Sequence, residues 1–557
     1  MKQDIEQAVK KLFNIDVDVK LTRPEPQFGD YATNVAMQVS KQLKKNPREI
    51  AETLSEVLSQ TDSFLEVAVA GPGFINLRVS AMSIASNLQD NWSDTFGENT
   101  DGKGKTVVVE YPSPNVAKPY SVGHLRPGNQ GWAVKRLMEA TGWKVITDNH
   151  IGDSGSPFGV WVVGFLKFSN EKALKKDGVY ELGRVYIVTK QALKDEEKSG
   201  KKELADEVQE WLIKLESGDK QAVKYSQKFN EISMAHIHEV MNRLKISTDH
   251  ELGESFFVDR GKKAVQKLIK DGVAEENADG SVIVPLDGFD VPLLVQKSNG
   301  AALYATTDLA TILYRETEWK SDKVIYVVGA EQQFYFTQLF AMAKKLKIET
   351  DFVHLWFGTI DQVGEDGKRE KMSSRKGVVL MEELLDKSEE MAREIVKDRD
   401  ITDADVKKIA LGAVKFSDFV ADRRTNILFD WNNIFALSGF SGPYVQYAVV
   451  RVNKIINSHK PGKASASDYD YESEKAVMAK LLDYPDVITL SARDLEPHKV
   501  ATYLYELARE MNKYYETTRI AESSEVEKTA RLNILGKVSQ VFEHGLGILG
   551  IEVPEQM

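Results

Sequence analysis

At 557 residues the chain exceeds what one hydrophobic core serves, and three to four domains are expected. Its 42% hydrophobic and 28% charged residues are those of an ordinary globular chain, and a net charge of −11 argues against a general nucleic-acid binder. No apolar run approaches the roughly 20 residues of a membrane span, and the absence of cysteine excludes disulfides and thiolate zinc sites and fits a reducing compartment.

The opening MKQDIEQAVKKLFNI is an amphipathic helical pattern with acids and no small-residue cleavage site, so it does not read as a secretory signal. Residues 1–100 read as a small α+β unit, with helices over 1–13, 34–59 and 80–92 and strands at EVAVA and FINLRVS. The basic run KQLKKNPREI in this unit, like AMAKKLKI later, reads as a solvated helix face. ENTDGKGK, at 98–105, marks a boundary. TVVVE is then a buried strand, followed by a helix over about 123–141 that ends at Gly142, a second strand in WKVITD and a tight turn at GDSG. A mostly polar insertion over roughly 168–295 carries amphipathic helices at 203–245 and a short β region around GSVIVPLDGFDVPLLVQ. KVIYVVGA and FVHLWFG supply further strands. Strands alternating with helices predict an α/β, doubly wound parallel sheet with ligands at the carboxyl ends of its strands. Beyond about 400 helical patterns dominate, broken by HKPGKASASDYDYES at 459–473, and an all-α bundle is expected. No internal repeat is visible.

Two stretches carry chemistry. PNVAKPYSVGHLRP, at 114–127, lies between the first strand of the sheet and its helix. A helix N-terminus presents free N–H groups and partial positive charge, which attract phosphate. Gly123 permits close approach to the backbone, and Lys118 and His124 can donate to phosphate oxygens. GKREKMSSRKGVVL, at 367–380, gathers Lys371, Met372, Ser373, Ser374, Arg375 and Lys376 into one loop. Its cations and hydroxyls suit a triphosphate on which charge builds during displacement at phosphorus. Taken singly, each stretch is more plainly a capped turn or an exposed basic loop.

In this order and about 250 residues apart, the two stretches resemble the HIGH and KMSKS motifs of class I aminoacyl-tRNA synthetases. VVEYPSPNVAKPYSVGHLR, DNHIGDSGSPFG, LYATTDLA, KMSSRKG, FSGPYVQYA, FGDYATN and the terminal LGILGIEVPEQM are similar, over nearly the full length, to segments of the arginyl-tRNA synthetase family. The resemblance implies an N-terminal α+β domain that binds the tRNA D-loop (1–100), a Rossmann-type catalytic domain (101–425) and a helical anticodon-binding domain (426–557). It implies ATP-dependent activation of L-arginine and transfer to the terminal adenosine of tRNA(Arg), with magnesium on the nucleotide, no zinc, and activation that itself requires bound tRNA. A cytoplasmic monomer without membrane contact is expected.

The same resemblance gives residue roles. Lys118, Ser121, Gly123, His124, Lys371, Met372, Ser373, Ser374, Arg375 and Lys376 would be catalytic, and of these Lys118, Ser121, Gly123, His124, Lys371 and Ser373 would bind ATP. Glu110 and Asp308 would hold the guanidinium, Asn115 the α-amino or carboxylate end, and Tyr304 and Gln332 would line the pocket. Phe74 and Asn76 would meet the D-loop, and Tyr444, Tyr447 and Arg451 the anticodon. The residues alone are compatible with this. A guanidinium asks for paired carboxylates, Tyr304 and Asp308 share a helical face four residues apart, and so do Tyr447 and Arg451. Splayed RNA bases stack on such aromatic and cationic faces. The chain also departs from the family pattern: Ser121 replaces the first HIGH histidine, Pro157 a usual glutamine, Thr307 a common arginine and Ser374 the second KMSKS lysine, for which Lys118 is thought to compensate. These changes keep open a catalytically reduced relative that binds RNA; a nucleotidyltransferase with a similar HxGH site is disfavoured by the helical C-terminal domain and the acid pair, and a class I synthetase for another amino acid is the weaker alternative.

Overall fold

A computed structural model of the chain describes residues 1–61, 63–155, 157–364, 367–372, 379–459 and 470–557. Two units are present: Met1–Phe96 with Val452–Tyr484 and Arg509–Val541, and Gly97–Arg451 with Pro485–Ala508 and Phe542–Met557.

In the first unit, α1 (Lys2–Phe13) precedes β1 (Leu21–Thr22), β2 (Tyr31–Thr33), α2 (Val35–Leu43), α3 (Pro47–Leu58), β3 (Glu66–Ala70), β4 (Phe74–Arg78) and α4 (Ala81–Asp90). The strands form an antiparallel sheet in the order β1-β2-β4-β3. The single helix expected over 34–59 is two helices. Lys44 ends α2 in the left-handed region (φ 51°), and Asn46 caps α3 by accepting from Arg48 N, with Pro47 in the first turn. Proline lacks the N–H that would continue a helix, but fits the first turn of a new one. Ile50, Ala51, Leu54 and Leu58 then face the core of this unit.

The second unit is built on a four-stranded parallel sheet. Its first strands are β5 (Thr106–Glu110) and, after α5 (Leu125–Ala140), β6 (Lys144–Asp148). The insertion follows as α6 (Pro157–Phe168), α7 (Glu171–Lys198), α8 (Glu203–Glu216), α9 (Lys220–Arg243) and α10 (Glu254–Lys270), then a small antiparallel sheet of β7 (Glu275–Glu276), β8 (Val282–Val284) and β9 (Leu293–Gln296). α7 was not expected; it buries Leu174, Val179, Leu182 and Val185 and turns at Gly178. The 203–245 stretch breaks where Asp219 caps α9. After α11 (Tyr304–Thr317) come β10 (Lys323–Tyr326), α12 (Gln333–Lys345) and β11 (Asp351–His354), completing the order β11-β10-β5-β6. Val107, Val108 and Val109 of β5 are all fully buried. Val108 packs with Leu309, Leu339 and Met342, whereas Val107 and Val109 pack with Val134 and Met138. Helices therefore cover both faces, which is why the strand reads as an unbroken apolar run.

The remaining elements are β12 (Ile360–Val363), β13 (Arg369–Lys371), α13 (Met381–Ile395), α14 (Asp403–Ser417), β14 (Ile427–Leu428), α15 (Trp431–Ile434) and α16 (Gly442–Ser458), then α17 (Lys475–Leu482), α18 (Tyr484–Asp494), α19 (His498–Thr517) and α20 (Glu525–Ile548). The chain beyond 400 is thus mainly helical, as expected.

Arg126, on α5, ties the sheet region to the chain after α14. It is 1% exposed, pairs with fully buried Asp418 at 2.7 Å, and donates to the carbonyls of Gly358 (2.9 Å) and Thr425 (3.0 Å). Arg126→Met leaves a buried carboxylate and two carbonyls without their cation. Urea unfolding of this variant is expected to show a loss of about 3–5 kcal/mol.

Candidate active site

A cleft of about 700 Å³ opens at the carboxyl ends of β5 and β10. Its wall on one side is the 114–124 loop. Val116 N donates to Gly152 O (3.2 Å) and Gly152 N to Pro114 O (3.1 Å), pairing this loop with the turn after β6. A Cβ at Gly152 would stand 2.3 Å from Asn115 Oδ1, so only glycine lets the Asn115 amide occupy its place in the wall.

A turn over Val122–His124 leads into α5, and Ser121, Gly123 and His124 all line the cleft. Ser121 N donates to His124 Nδ1 at 3.3 Å, and Ser121 Oγ lies at the same distance. Loss of solvation, with Lys118 acting in the same direction, lowers the His124 pKa to about 4. The ring is therefore neutral at pH 7. With Nδ1 accepting, its one proton sits on Nε2, which makes His124 a neutral hydrogen-bond donor. Lys118 is exposed outside the lining, its ammonium 5.6 Å from the Tyr186 ring centre.

Lys371 and Met372 also line the cleft, Met372 N donating to Ile360 O at 2.9 Å. Ser373, Ser374, Arg375 and Lys376 lie outside the described residues. The chain returning from them pairs with the first loop: Val122 N donates to Val379 O and Met381 N to Tyr120 O, each at 3.0 Å. The two stretches that carry the chemistry are thus backbone neighbours.

The floor is acidic. Parallel register sets Glu110, Asp148 and Tyr326 side by side at the strand ends. Arg315, fully buried on α11, reaches Glu110 Oε2 at 2.6 Å and Asp148 Oδ2 at 2.8 Å, its guanidinium 5.3 Å from the Tyr326 ring centre. Glu110 lines the cleft but already has this internal partner, which sequence reasoning did not supply. Asp308, two turns before Arg315 on the same helical face, accepts from Tyr335 Oη. Glu254, at the start of α10, accepts from Ser154 Oγ at 3.0 Å. Loss of solvation raises Asp308 to about 6 against the pull of His150, and raises Glu254 to about 7 against His150 and Ser154. Tyr304 stands at the cleft, 69% exposed, and Gln332 lines it from the turn after β10.

Glu254, His150 and Tyr335 were missed. Glu254 reads as an ordinary first-turn acid of a helix, and no local pattern ties it to Asp308. Arg315 had a signal, its spacing of seven from Asp308, which returns it to the same face.

Raised carboxyl pKa values fix a sign. The folded protein without substrate holds these protons to higher pH than the unfolded chain does, so their contribution to stability is lost as pH rises between about 4 and 7. A guanidinium ligand needs the ionised forms. Arginine titrated calorimetrically at pH 5.5 and 8 is expected to bind on the order of tenfold to a hundredfold more tightly at pH 8; equal affinities would separate these two carboxyls from the ligand.

Phe74 opens β4, 39% exposed, and Asn76 lies in a shallow depression with Gln27, Phe28 and Arg78. On α16 the Arg451 guanidinium sits 4.7 Å from the Tyr447 ring centre, with Arg399 at 5.7 Å, while Tyr444 packs against Tyr505. Among the described residues the one group able to hold a metal ion is Asp422, Glu496 and His498. It is outside the cleft lining, and Arg424 already bridges its two acids.

Residues 89–431 match the family model of class I (R) tRNA synthetases, catalytic domain; 445–557 match the DALR anticodon binding domain, and 1–79 the arginyl tRNA synthetase N terminal domain. An arginine–tRNA ligase of Clostridium botulinum is 34% identical over 578 residues, covering 100% of both chains. The chain belongs to the arginyl-tRNA synthetase family. Another arginine–tRNA ligase, from Bacillus anthracis, is 34% identical over 97% of this chain and 96% of its own. The family fold is also that of solved structures. Thermus thermophilus arginyl-tRNA synthetase has a TM-score of 0.82 at 23% identity, with 100% and 99% coverage. The Plasmodium falciparum enzyme has 0.79 at 23%, with 100% and 98% coverage. No helix among the described residues is long and apolar enough to cross a membrane.

Proposed function

We propose that this chain charges tRNA(Arg) with L-arginine at the expense of ATP. The observation that carries this reading is the sharing of one cleft by the acidic strand ends and the His124 loop. Asp308, Glu254 and Glu110 receive the guanidinium, Asn115 the α-amino or carboxylate group, and Tyr304 and Gln332 close the pocket. A neutral or apolar amino acid would leave these acids unpaired, which is the source of selectivity.

In the first step an arginine carboxylate oxygen attacks the α-phosphorus of ATP. The new P–O bond forms as the bond to pyrophosphate breaks. His124 Nε2–H, Lys118 and Lys371 donate to phosphate oxygens, Ser121 orients His124, and Gly123 leaves room beside the backbone. Met372, which lines the cleft, and Ser373, Ser374, Arg375 and Lys376 serve the same phosphate chemistry. Magnesium, when bound, would come with the nucleotide and offset charge on its phosphates, and no zinc is expected. In the second step a ribose hydroxyl of the terminal adenosine attacks the arginyl carbonyl and AMP departs. No enzyme nucleophile is required; positioning and charge stabilisation suffice.

Residues 1–100, with Phe74 and Asn76, take the D-loop, 101–425 the chemistry, and 426–557, with Tyr444, Tyr447 and Arg451, the anticodon. The protein works as a cytoplasmic monomer, and activation awaits the tRNA. Ser121 does not by itself favour a catalytically reduced relative, since its backbone N–H holds the His124 ring. The test is charging of a transcribed tRNA(Arg) with labelled arginine, beside the same tRNA with its middle anticodon base changed. Incorporation that collapses with the changed base supports both the activity and the anticodon role. Tight tRNA binding without incorporation would overturn the catalytic reading.

A further inference from the structure

The insertion supplies part of the ATP loop's support. Two backbone N–H groups of that loop, at Ala117 and Tyr120, turn away from the cleft into the protein, and both residues are at most 1% exposed. Each N–H is taken by a side chain rather than by a backbone carbonyl. Ala117 N donates to Ser233 Oγ at 2.8 Å, and Tyr120 N to His236 Nε2 at 3.0 Å. Ser233 and His236 are three residues apart on α9, hence on one face, and are 0% and 8% exposed. Each acceptor is itself held. Ser233 Oγ donates to Phe229 O at 2.6 Å, which turns its lone pairs toward Ala117. With Nε2 accepting, the neutral His236 ring carries its proton on Nδ1, facing Glu382 Oε1 at 3.8 Å, and Tyr180 packs edge-on to the ring.

Between the two anchored N–H groups lie only Lys118 and Pro119. Pro119 abuts Gly183 of α7, where a Cβ would come within 3.0 Å of its Cδ, and Lys118 Nζ stands over Tyr186 of the same helix. Ala117 adopts φ 53°, a conformation that a non-glycine residue holds only when its surroundings impose it. The charge of Lys118 is felt at His124.

We propose that Ser233 and His236 are positioning residues for Lys118: by gripping the backbone on both sides of it, they set where its ammonium meets the nucleotide. This rests on the reading that Lys118 serves ATP. Through Glu382, at the start of α13, the His236 ring also touches the segment that returns from the second chemical stretch.

The experiment is a double-mutant cycle on the full chain with tRNA and magnesium present, reading kcat/KM for ATP, ATP affinity of the free protein, KM for arginine and thermal stability. Lys118→Met and His236→Leu are each expected to lower kcat/KM for ATP on the order of tenfold, with KM for arginine within about twofold. Their combination should be little worse than either alone, because both act through one ammonium. Ser233→Ala should resemble His236→Leu. His236→Gln, which keeps an acceptor at the Nε2 place, should recover most of the loss. Should His236→Leu fail to fold, His236→Gln against His236→Asn, whose shorter side chain withdraws the acceptor, reads the same difference. Unchanged ATP parameters in His236→Leu, fully additive losses, or an equal rise in KM for arginine would each overturn the positioning role. A Lys118→Met variant with normal ATP parameters would instead remove the nucleotide role of Lys118, and the proposal with it.

Discussion

Asp308→Asn is expected to raise KM for arginine about 10–100-fold while KM for ATP stays within about twofold. The carboxylate offers a charge-assisted hydrogen bond to the guanidinium, and such bonds are worth about 1.5–3 kcal/mol. Asparagine keeps the volume, but turns one acceptor into a donor that faces guanidinium N–H groups. The same change should relax discrimination against citrulline, whose neutral ureido group loses nothing when a charge disappears. Tyr335, which donates to Asp308, keeps a partner in asparagine Oδ1, so the wall should hold its shape. Steady-state kinetics with arginine and citrulline decide the matter, and an unchanged KM for arginine would take Asp308 out of the pocket.

His124→Ala is expected to lower kcat on the order of a hundredfold to a thousandfold, the range for removing one preorganised donor from a charge-stabilising site. Arginine binding should be nearly untouched, since the pocket acids lie on other elements. The ring donates as a neutral N–H, so protonation of His124 adds no limb to the pH profile above about pH 5: its own pKa has been lowered to about 4. Among the cleft groups whose pKa is displaced, Asp308 and Glu254 are the ones that titrate between pH 8 and 6. Turnover equal to that of the unsubstituted protein would end the phosphate role of His124.

The fold was legible where strands are short, apolar and followed by loops rich in glycine and polar residues. TVVVE and KVIYVVGA announced a parallel sheet, and its strand ends do adjoin the cleft. The family resemblance singles out Glu110, Asn115, Tyr304, Asp308 and Gln332, and His124 stands out also by its place before a helix; all six line the cleft. What could not be read was pairing across distance. Glu254 comes to Asp308 only through the packing of α10 on α11, and the Arg315 partnership with Glu110 depends on burial that a lone arginine in a helix does not advertise. Periodicity also misjudged continuity. It ran one helix through Asn46 and Pro47, where a cap and a missing N–H make two, and it passed over α7, whose long charged residues dilute the apolar stripe.

A cleft floored by carboxylates, with one guanidinium already bound in Arg315, also changes how this protein should be unfolded in the laboratory. Guanidinium chloride denatures by solvating apolar and peptide groups. Here its cation is a miniature of the ligand proposed for Asp308 and Glu254. At low concentration it should occupy the folded state alone and raise the melting temperature, before the molar regime in which it denatures. A straight-line extrapolation from that regime would then fold ligand binding into the intercept. Urea, uncharged, is the reagent whose extrapolated stability belongs to the chain itself.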